Sequence, residues 1–204
     1  MSSIAPSGGP RDGAGPHGGA GWRTRDVVVT AVLGVAFGVV FWAWGNVAWP
    51  ALAFLGPLQN LLYGPWLIPA VLAPLIVRRP GAGVFAEVVA ASVSAILGSQ
   101  WGVIVLLYGV VQGLAGEIPF LATRYRVFTW PVVVAAGILA AAAAWVLDWA
   151  FYFAAVDVTT QLLVGGLMAL SGVVVVAGGS LFLARALRDA GVLGGFDGPE
   201  GSPT

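Results

Sequence analysis

Three carboxylates, Glu87, Glu117 and Asp148, lie inside otherwise apolar stretches of the chain. An acid at the centre of a bilayer costs roughly 2.5–3.5 kcal/mol on insertion scales, so such a group faces a bundle interior or a wet cavity and points to function. The three are not equivalent. Glu117 comes two helical turns before Arg124, which suits a salt bridge or a snorkelling contact near one membrane surface. Glu87 is followed at helical spacing by Ala91, Ser94 and Gly98. That small, polar stripe fits contact with a ligand, and it also fits interhelical packing. Asp148 stands between Trp145, Trp149 and Tyr152, a carboxylate among aromatic rings.

The chain holds nine tryptophans, and their placement matters more than their number. Trp22 and Trp130 suit an interfacial aromatic belt on one side of a membrane. Trp42, Trp44, Trp49, Trp66, Trp101, Trp145 and Trp149 all fall toward the other side, where an even belt would not put them. Tyr63, Tyr108 and Tyr152 join them, with Gln59, Asn60, Gln100 and Gln112. Tyr108, Gln112 and Gly116 share one helical face. This collection is either a belt or an aromatic basket. A basket with amides and carboxylates suits a flat heteroaromatic ligand, especially a cation, since a desolvated cation–π contact contributes up to about 2 kcal/mol.

The elements that would position these groups follow from charge. The chain is 59% hydrophobic and 9% charged, far below the roughly 25% charge of soluble domains. All nine basic residues are arginine: Arg11, Arg23, Arg25, Arg78, Arg79, Arg124, Arg126, Arg185 and Arg188. Six crossings put all of them on one face, and short cytoplasmic loops carry the excess of Arg. The expectation is an all-α integral membrane protein of six transmembrane helices with both termini cytoplasmic and its basic face against the lipid bilayer. The spans run from about Val27 to Trp44, Leu61 to Val77, Gly83 to Leu97, Val103 to Ala122, Pro131 to Phe151 and Gln161 to Leu183. Pro65, Pro69 and Pro74 should kink the second. The segment 45–60 is apolar yet broken by Pro50, Gly56 and Pro57. It reads as a re-entrant lid over the outer mouth or as a connector on the lipid surface. Residues 1–23 and 189–204, rich in Gly and Pro, read as disordered cytoplasmic tails around a membrane domain over 24–188. The start of the chain has no apolar core of signal-peptide type, so no cleaved leader is expected.

Thr30, Gly34 and Gly38 form a small-residue stripe on the first span. Such stripes let helices approach closely, either within this chain or as a docking face for another membrane protein. Other chemistry lacks support. There is no Cys, and the one His, His17, lies in the first tail, so neither a metal site nor a thiolate or Ser/His nucleophile is expected. No phosphate-binding loop occurs, so ATP-driven work would come from a partner. The reading is a protein that is not an enzyme, needs no cofactor and binds no nucleic acid.

Several elements, in order, resemble the YkoE-like family: Gly45-Asn46-Val47, Tyr63-Gly64-Pro65-Trp66, Arg78-Arg79-Pro80-Gly81-Ala82, Glu87, and Val111 to Glu117 followed by Ala122-Thr123-Arg124. These are substrate-binding S components of energy-coupling factor (ECF) transporters, assigned to thiamine or its hydroxymethylpyrimidine precursor. The resemblance implies a multi-pass protein of a prokaryotic plasma membrane that captures such a vitamin outside. It implies a transmembrane coupling protein and two ATPase subunits as partners, docked through Thr30, Gly34 and Gly38. Glu87, Gln112 and Trp66 match the family and become expected pocket residues. Tyr63, Asn60, Trp101, Tyr108, Trp145, Asp148 and Trp149 complete the expected site. Two other readings stay open: a structural or assembly protein without a ligand, and a proton-coupled transporter using Glu87, Glu117 and Asp148.

Overall fold

The structure is a computed structural model that describes residues 21–191. Arg11, His17 and the greater part of both expected tails lie outside the described residues. All regular structure in the described residues is helical. In lipid this is the expected outcome, because a helix satisfies its own backbone groups.

Six helices follow one another: α1 (Thr24–Ala51), α2 (Ala53–Val77), α3 (Ala82–Ile96), α4 (Gly102–Ala122), α5 (Trp130–Phe151) and α6 (Val158–Asp189). Five of them are long and apolar enough to cross a membrane. The exception, α3, has 15 residues, about 22 Å at the helical rise, so it is the shallow member of the bundle.

The first helix does not end near Trp44. It continues through a π-helical stretch, Trp44–Ala48, to Ala51, and 3-10 turns cover Ala53–Leu62. Gly56 takes φ 54° and ψ −134° within those turns. The prolines of α2 act as expected. A 3-10 turn over Gly64–Leu67 interrupts the helix, which resumes as Ile68–Val77 with Pro69 in its first turn, where a missing N–H is tolerated. Every residue of Ile68–Val77 is buried. This segment is the axis around which the others pack, which explains a sequence that is apolar on all sides.

One end of the bundle gathers the arginines. Arg79 Nε donates to Asp26 Oδ2 at 3.1 Å, Trp22 Nε1 donates to the Pro80 carbonyl at 3.0 Å, and Arg78 stacks over the Phe128 ring at 4.9 Å. The turn from α2 to α3 is tight: Arg78 (φ 54°) and Gly81 (φ 87°) are left-handed. Glu117 of α4 accepts the Gly81 and Gly83 N–H groups at 2.9 and 2.5 Å. Its partner is therefore the N-terminus of α3, where the helix dipole favours an anion, rather than Arg124. At the other end Asp157 caps α6, accepting the Thr160 N–H at 2.9 Å. That bond holds its carboxyl below the usual range.

The stripe on α1 is an internal seam. Thr30, Gly34 and Gly38 are buried. A methyl group on Gly34 would stand 2.7 Å from Val89 Cβ, and one on Gly38 would stand 2.5 Å from Val93 Cβ. Val89 and Val93 of α3 fill the space beside Gly34 and Gly38, so the stripe packs within this chain. The outward faces of the bundle carry Val32, Val35, Leu114, Ile118, Val174 and Phe182, apolar side chains suited to acyl chains.

Candidate functional site

A cavity of about 550 Å³ opens at the end opposite the arginines, beneath Gly56 to Asn60, Ser99 to Trp101 and Tyr152 to Val156. One wall is aromatic. Trp66 is its hub, with ring centroids 4.8 Å from Trp49, 5.1 Å from Tyr63 and 5.3 Å from Trp101. Trp49 and Tyr63 also meet, at 5.9 Å. All four contacts are edge-to-face, the arrangement favoured by the ring quadrupoles.

Breaks in helices put these rings in place. The 3-10 turn after Tyr63 carries Trp66, and Gly64 N–H is held by Ser171 Oγ of α6 at 2.9 Å. Trp66 Nε1 reaches the Phe41 carbonyl at 3.4 Å. In the π stretch of α1, Gly45 lies against the Trp101 ring. The Gly45 carbonyl accepts from Gln100 Nε2, and Asn46 Oδ1 accepts the Gln100 N–H at 3.1 Å. Asn46 Nδ2 spans to the Gly98 carbonyl at 3.4 Å. The π stretch thus fastens the turn 97–101 and the indole it carries, consistent with the concentration of such bulges at functional sites.

The opposite wall is polar. Tyr108 hydroxyl donates to Asp148 Oδ1 at 2.7 Å. Tyr63 hydroxyl faces Asp148 and Gln112. Among the described residues, Asp148 is the one carboxylate on the cavity wall. Tyr152, at the cavity mouth, has its hydroxyl pushed up by burial and by the Asp148 charge. The floor is made by Ala91, Ser94, Gly109 and Gln112, so the stripe leading outward from Glu87 and the Tyr108–Gln112 face both reach the cavity.

Of the expected site residues, Trp66, Tyr63, Asn60, Trp101, Tyr108, Gln112 and Asp148 come together on this wall. Three do not. Glu87 is fully buried beneath the floor, with Oε1 accepting the Ala70 N–H at 2.9 Å. Trp145 turns toward α6, donating to the Gln161 carbonyl at 2.9 Å, and Trp149 stacks on Trp145 at 5.2 Å. Depth explains Glu87, which shares the face of Ala91 and Ser94 but lies below the void, and rotation about α5 explains the two indoles, which turn away from the void that Asp148 faces. Trp49 and Gln59 of the expected aromatic and amide collection also line the cavity, and Phe41 and Gln161 join them without having been expected there. Trp49 and Gln59 fall in the segment 45–60. Gln59 is buried, its Nε2 donating to the Trp49 carbonyl at 2.5 Å, so this segment roofs the cavity.

No group of three or more His, Cys, Asp or Glu that could hold a metal occurs among the described residues. What the site offers is a space with flat apolar surfaces, four amides (Gln59, Asn60, Gln112 and Gln161), phenols and one carboxylate. That is a set for recognising a planar organic molecule with a positive region.

A family model described as "ABC-type cobalt transport system, permease component" matches residues 25–143. YkoE of Bacillus subtilis (strain 168), provisionally named an HMP/thiamine permease protein, is 34% identical over 128 residues. That match covers 62% of this chain and 64% of the relative, so the chain spans less than two thirds of that curated protein. A crystal structure of an S component of an ECF transporter superimposes with a TM-score of 0.79 at 32% identity, covering 86% of this chain and 90% of the other. The chain belongs to the family of ABC-type transport permease components that the 25–143 match defines, and its six helices have the fold of an ECF S component.

Proposed function

We propose that this protein is the substrate-binding S component of an ATP-driven ECF importer and that its ligand is thiamine or hydroxymethylpyrimidine. The observation that carries this reading is the cavity itself: four interlocked rings face a lone carboxylate, Asp148, that Tyr108 orients. A pyrimidine or thiazolium ring is flat enough to stack on indoles, and the thiazolium cation complements the carboxylate. The name of YkoE supports the same class of ligand, and the S-component structure supports the class of transporter.

The orientation follows from charge. With the arginine end in the cytoplasm, as the positive-inside rule favours, the cavity opens to the extracellular side of a prokaryotic plasma membrane. The inward half is filled by Ile68–Val77 and its neighbours, so a ligand taken from outside meets a closed floor. Release inward therefore needs a motion driven by partners. A transmembrane coupling protein and two ATPase subunits supply it in this reading, and hydrolysis is done by them.

The test is isothermal titration calorimetry of the purified chain in detergent with thiamine, hydroxymethylpyrimidine and cobalt(II). Saturable heat with thiamine, displaced by or distinct from hydroxymethylpyrimidine, is the expected result. Binding of cobalt alone would reject the vitamin reading, and heat from none of the three would favour a structural role.

A further inference from the structure

Glu87 is the one expected pocket residue with a carboxylate that the structure seats one layer below the cavity. Three helices meet there, at Ala70, whose side chain is fully buried. A methyl group on Gly83 of α3 would stand 2.5 Å from the Ala70 carbonyl oxygen, and one on Gly116 of α4 would stand 2.9 Å from Ala70 Cβ. The backbones of α3 and α4 therefore approach α2 closely at Ala70.

The Ala70 N–H belongs to the first turn of Ile68–Val77, where a helix provides no carbonyl for it. Buried in an apolar bundle, such a donor costs about 1–3 kcal/mol if left unmade. Glu87 Oε1 accepts it at 2.9 Å, while Oε2 is buried and has no hydrogen-bond partner. A ligand-binding carboxylate would turn its second oxygen to the void. This one is buried within the helix junction, and beside it the α4 backbone closes on the α3 backbone, since a methyl added to Gly109 would stand 3.0 Å from the Glu87 carbonyl oxygen.

Both sides of this junction lead to the cavity. On α2, the turn Gly64–Leu67 immediately before the pinned helix carries Trp66, with Tyr63 next to it. On α3, Ala91 and Ser94 continue from Glu87 into the cavity floor, and Gly109 completes that floor from α4. We propose that Glu87 is a positioning residue: by holding the Ala70 N–H it fixes the break in α2 against α3, and so sets Tyr63 and Trp66 at their working distance from the floor. The assignment rests on the ligand-binding reading above and deepens it. It gives Glu87 a role through a hydrogen-bond acceptor, not through charge presented to the ligand.

The experiment compares the full chain with Glu87→Gln, Glu87→Asp and Glu87→Ala, using thiamine calorimetry and peptide-resolved hydrogen exchange over residues 64–72. Glutamine keeps an acceptor oxygen at the same reach, so Glu87→Gln is expected within about twofold of the parent Kd and with parental exchange. Glu87→Asp is one methylene short, and Glu87→Ala lacks the acceptor. Each should weaken binding about tenfold, the effect of one hydrogen bond, and speed exchange over 64–72 with exchange in α5 unchanged. Glu87→Gln as weak as Glu87→Ala would overturn the proposal, because charge would then be what the site uses. Parental exchange in Glu87→Asp would overturn it as well, even where Glu87→Ala does not fold. If the parent chain binds neither thiamine nor hydroxymethylpyrimidine, the functional reading fails by itself, and the exchange arm still decides whether Glu87 pins the break.

Discussion

Tyr108 and Asp148 join α4 to α5 across the cavity wall through a 2.7 Å hydrogen bond. The phenol donates, and the Tyr63 hydroxyl faces the same carboxylate, so two phenols hold the acid at the cavity wall. A carboxylate at this depth is costly to bury without such help. Its retention is explained if a cation offsets it when the site is filled.

Asp148→Asn should therefore distinguish the two candidate ligands. Thiamine carries a permanent positive charge and hydroxymethylpyrimidine does not. The substitution should weaken thiamine binding about 10- to 100-fold, in line with roughly 1.5–3 kcal/mol for a hydrogen bond or contact to a charged group. Hydroxymethylpyrimidine should lose no more than about threefold. Calorimetry with both ligands reads the difference, and equal losses would separate Asp148 from cation recognition. Tyr108→Phe should give a smaller loss for thiamine, since it frees the carboxylate without removing it.

The aromatic wall predicts a graded response at its hub. Trp66 touches Trp49, Tyr63 and Trp101, so Trp66→Ala removes a stacking surface and loosens three others. Its cost to thiamine affinity should exceed that of Trp66→Phe, and the loss should reach about 2 kcal/mol or more, as for a buried aromatic anchor. Trp149→Ala should leave affinity unchanged, because Trp149 is outside the cavity and stacks on Trp145. An affinity loss at Trp149 matching that at Trp66 would mean that the cavity wall is wrongly drawn.

Much of this was readable from the chain alone, and the failures have distinct physical causes. Six apolar helices, the arginine-rich end and the kinked second helix follow from hydropathy, charge and Pro65, Pro69 and Pro74, which act locally. The gathering of Tyr63, Trp66, Trp101, Tyr108, Gln112 and Asp148 was legible as an uneven aromatic distribution. What spacing could not resolve was depth along a helix and rotation about its axis. Glu87 and Ser94 share one face of α3 two turns apart, yet one is sealed below the floor and the other lines it. Thr30, Gly34 and Gly38 announce a close helix contact, but nothing in a single sequence says whether α3 or a second protein fills it. The segment 45–60 was opaque for a different reason: a π stretch followed by 3-10 turns has neither helical period to detect.

The α1–α3 seam makes a prediction about stability rather than transport. Gly38→Leu forces a branched side chain into space held by Val93 and the Ala90 carbonyl. Overpacking of this kind costs about 1–3 kcal/mol. The variant should melt at lower temperature in detergent, with Gly34→Leu similar and the surface change Val35→Leu neutral. A parental melting temperature for both glycine variants, with transport abolished only when partners are present, would return these residues to a docking role.

Glu117 separates a structural acid from a proton carrier. It sits within α4 near the arginine end, where a carrier for proton-coupled uptake would be sought. Both of its oxygens, however, accept backbone N–H groups at the start of α3, from Gly81 at 2.9 Å and Gly83 at 2.5 Å. Those are donors with no carbonyl of their own, and a carboxylate suits the positive end of the helix dipole. Glu117→Ala leaves two buried donors unmade, at about 1–3 kcal/mol each. The chain should then lose thermal stability and yield of folded protein. Glu117→Gln keeps one acceptor oxygen and should recover about half of that loss, while ligand affinity in the folded fraction stays at the parental value because the cavity lies at the other end. Vitamin uptake by cells carrying Glu117→Gln with partner subunits should persist and should depend on ATP rather than on the proton gradient. Uptake abolished in a variant that melts at the parental temperature would instead identify Glu117 as a group whose proton moves.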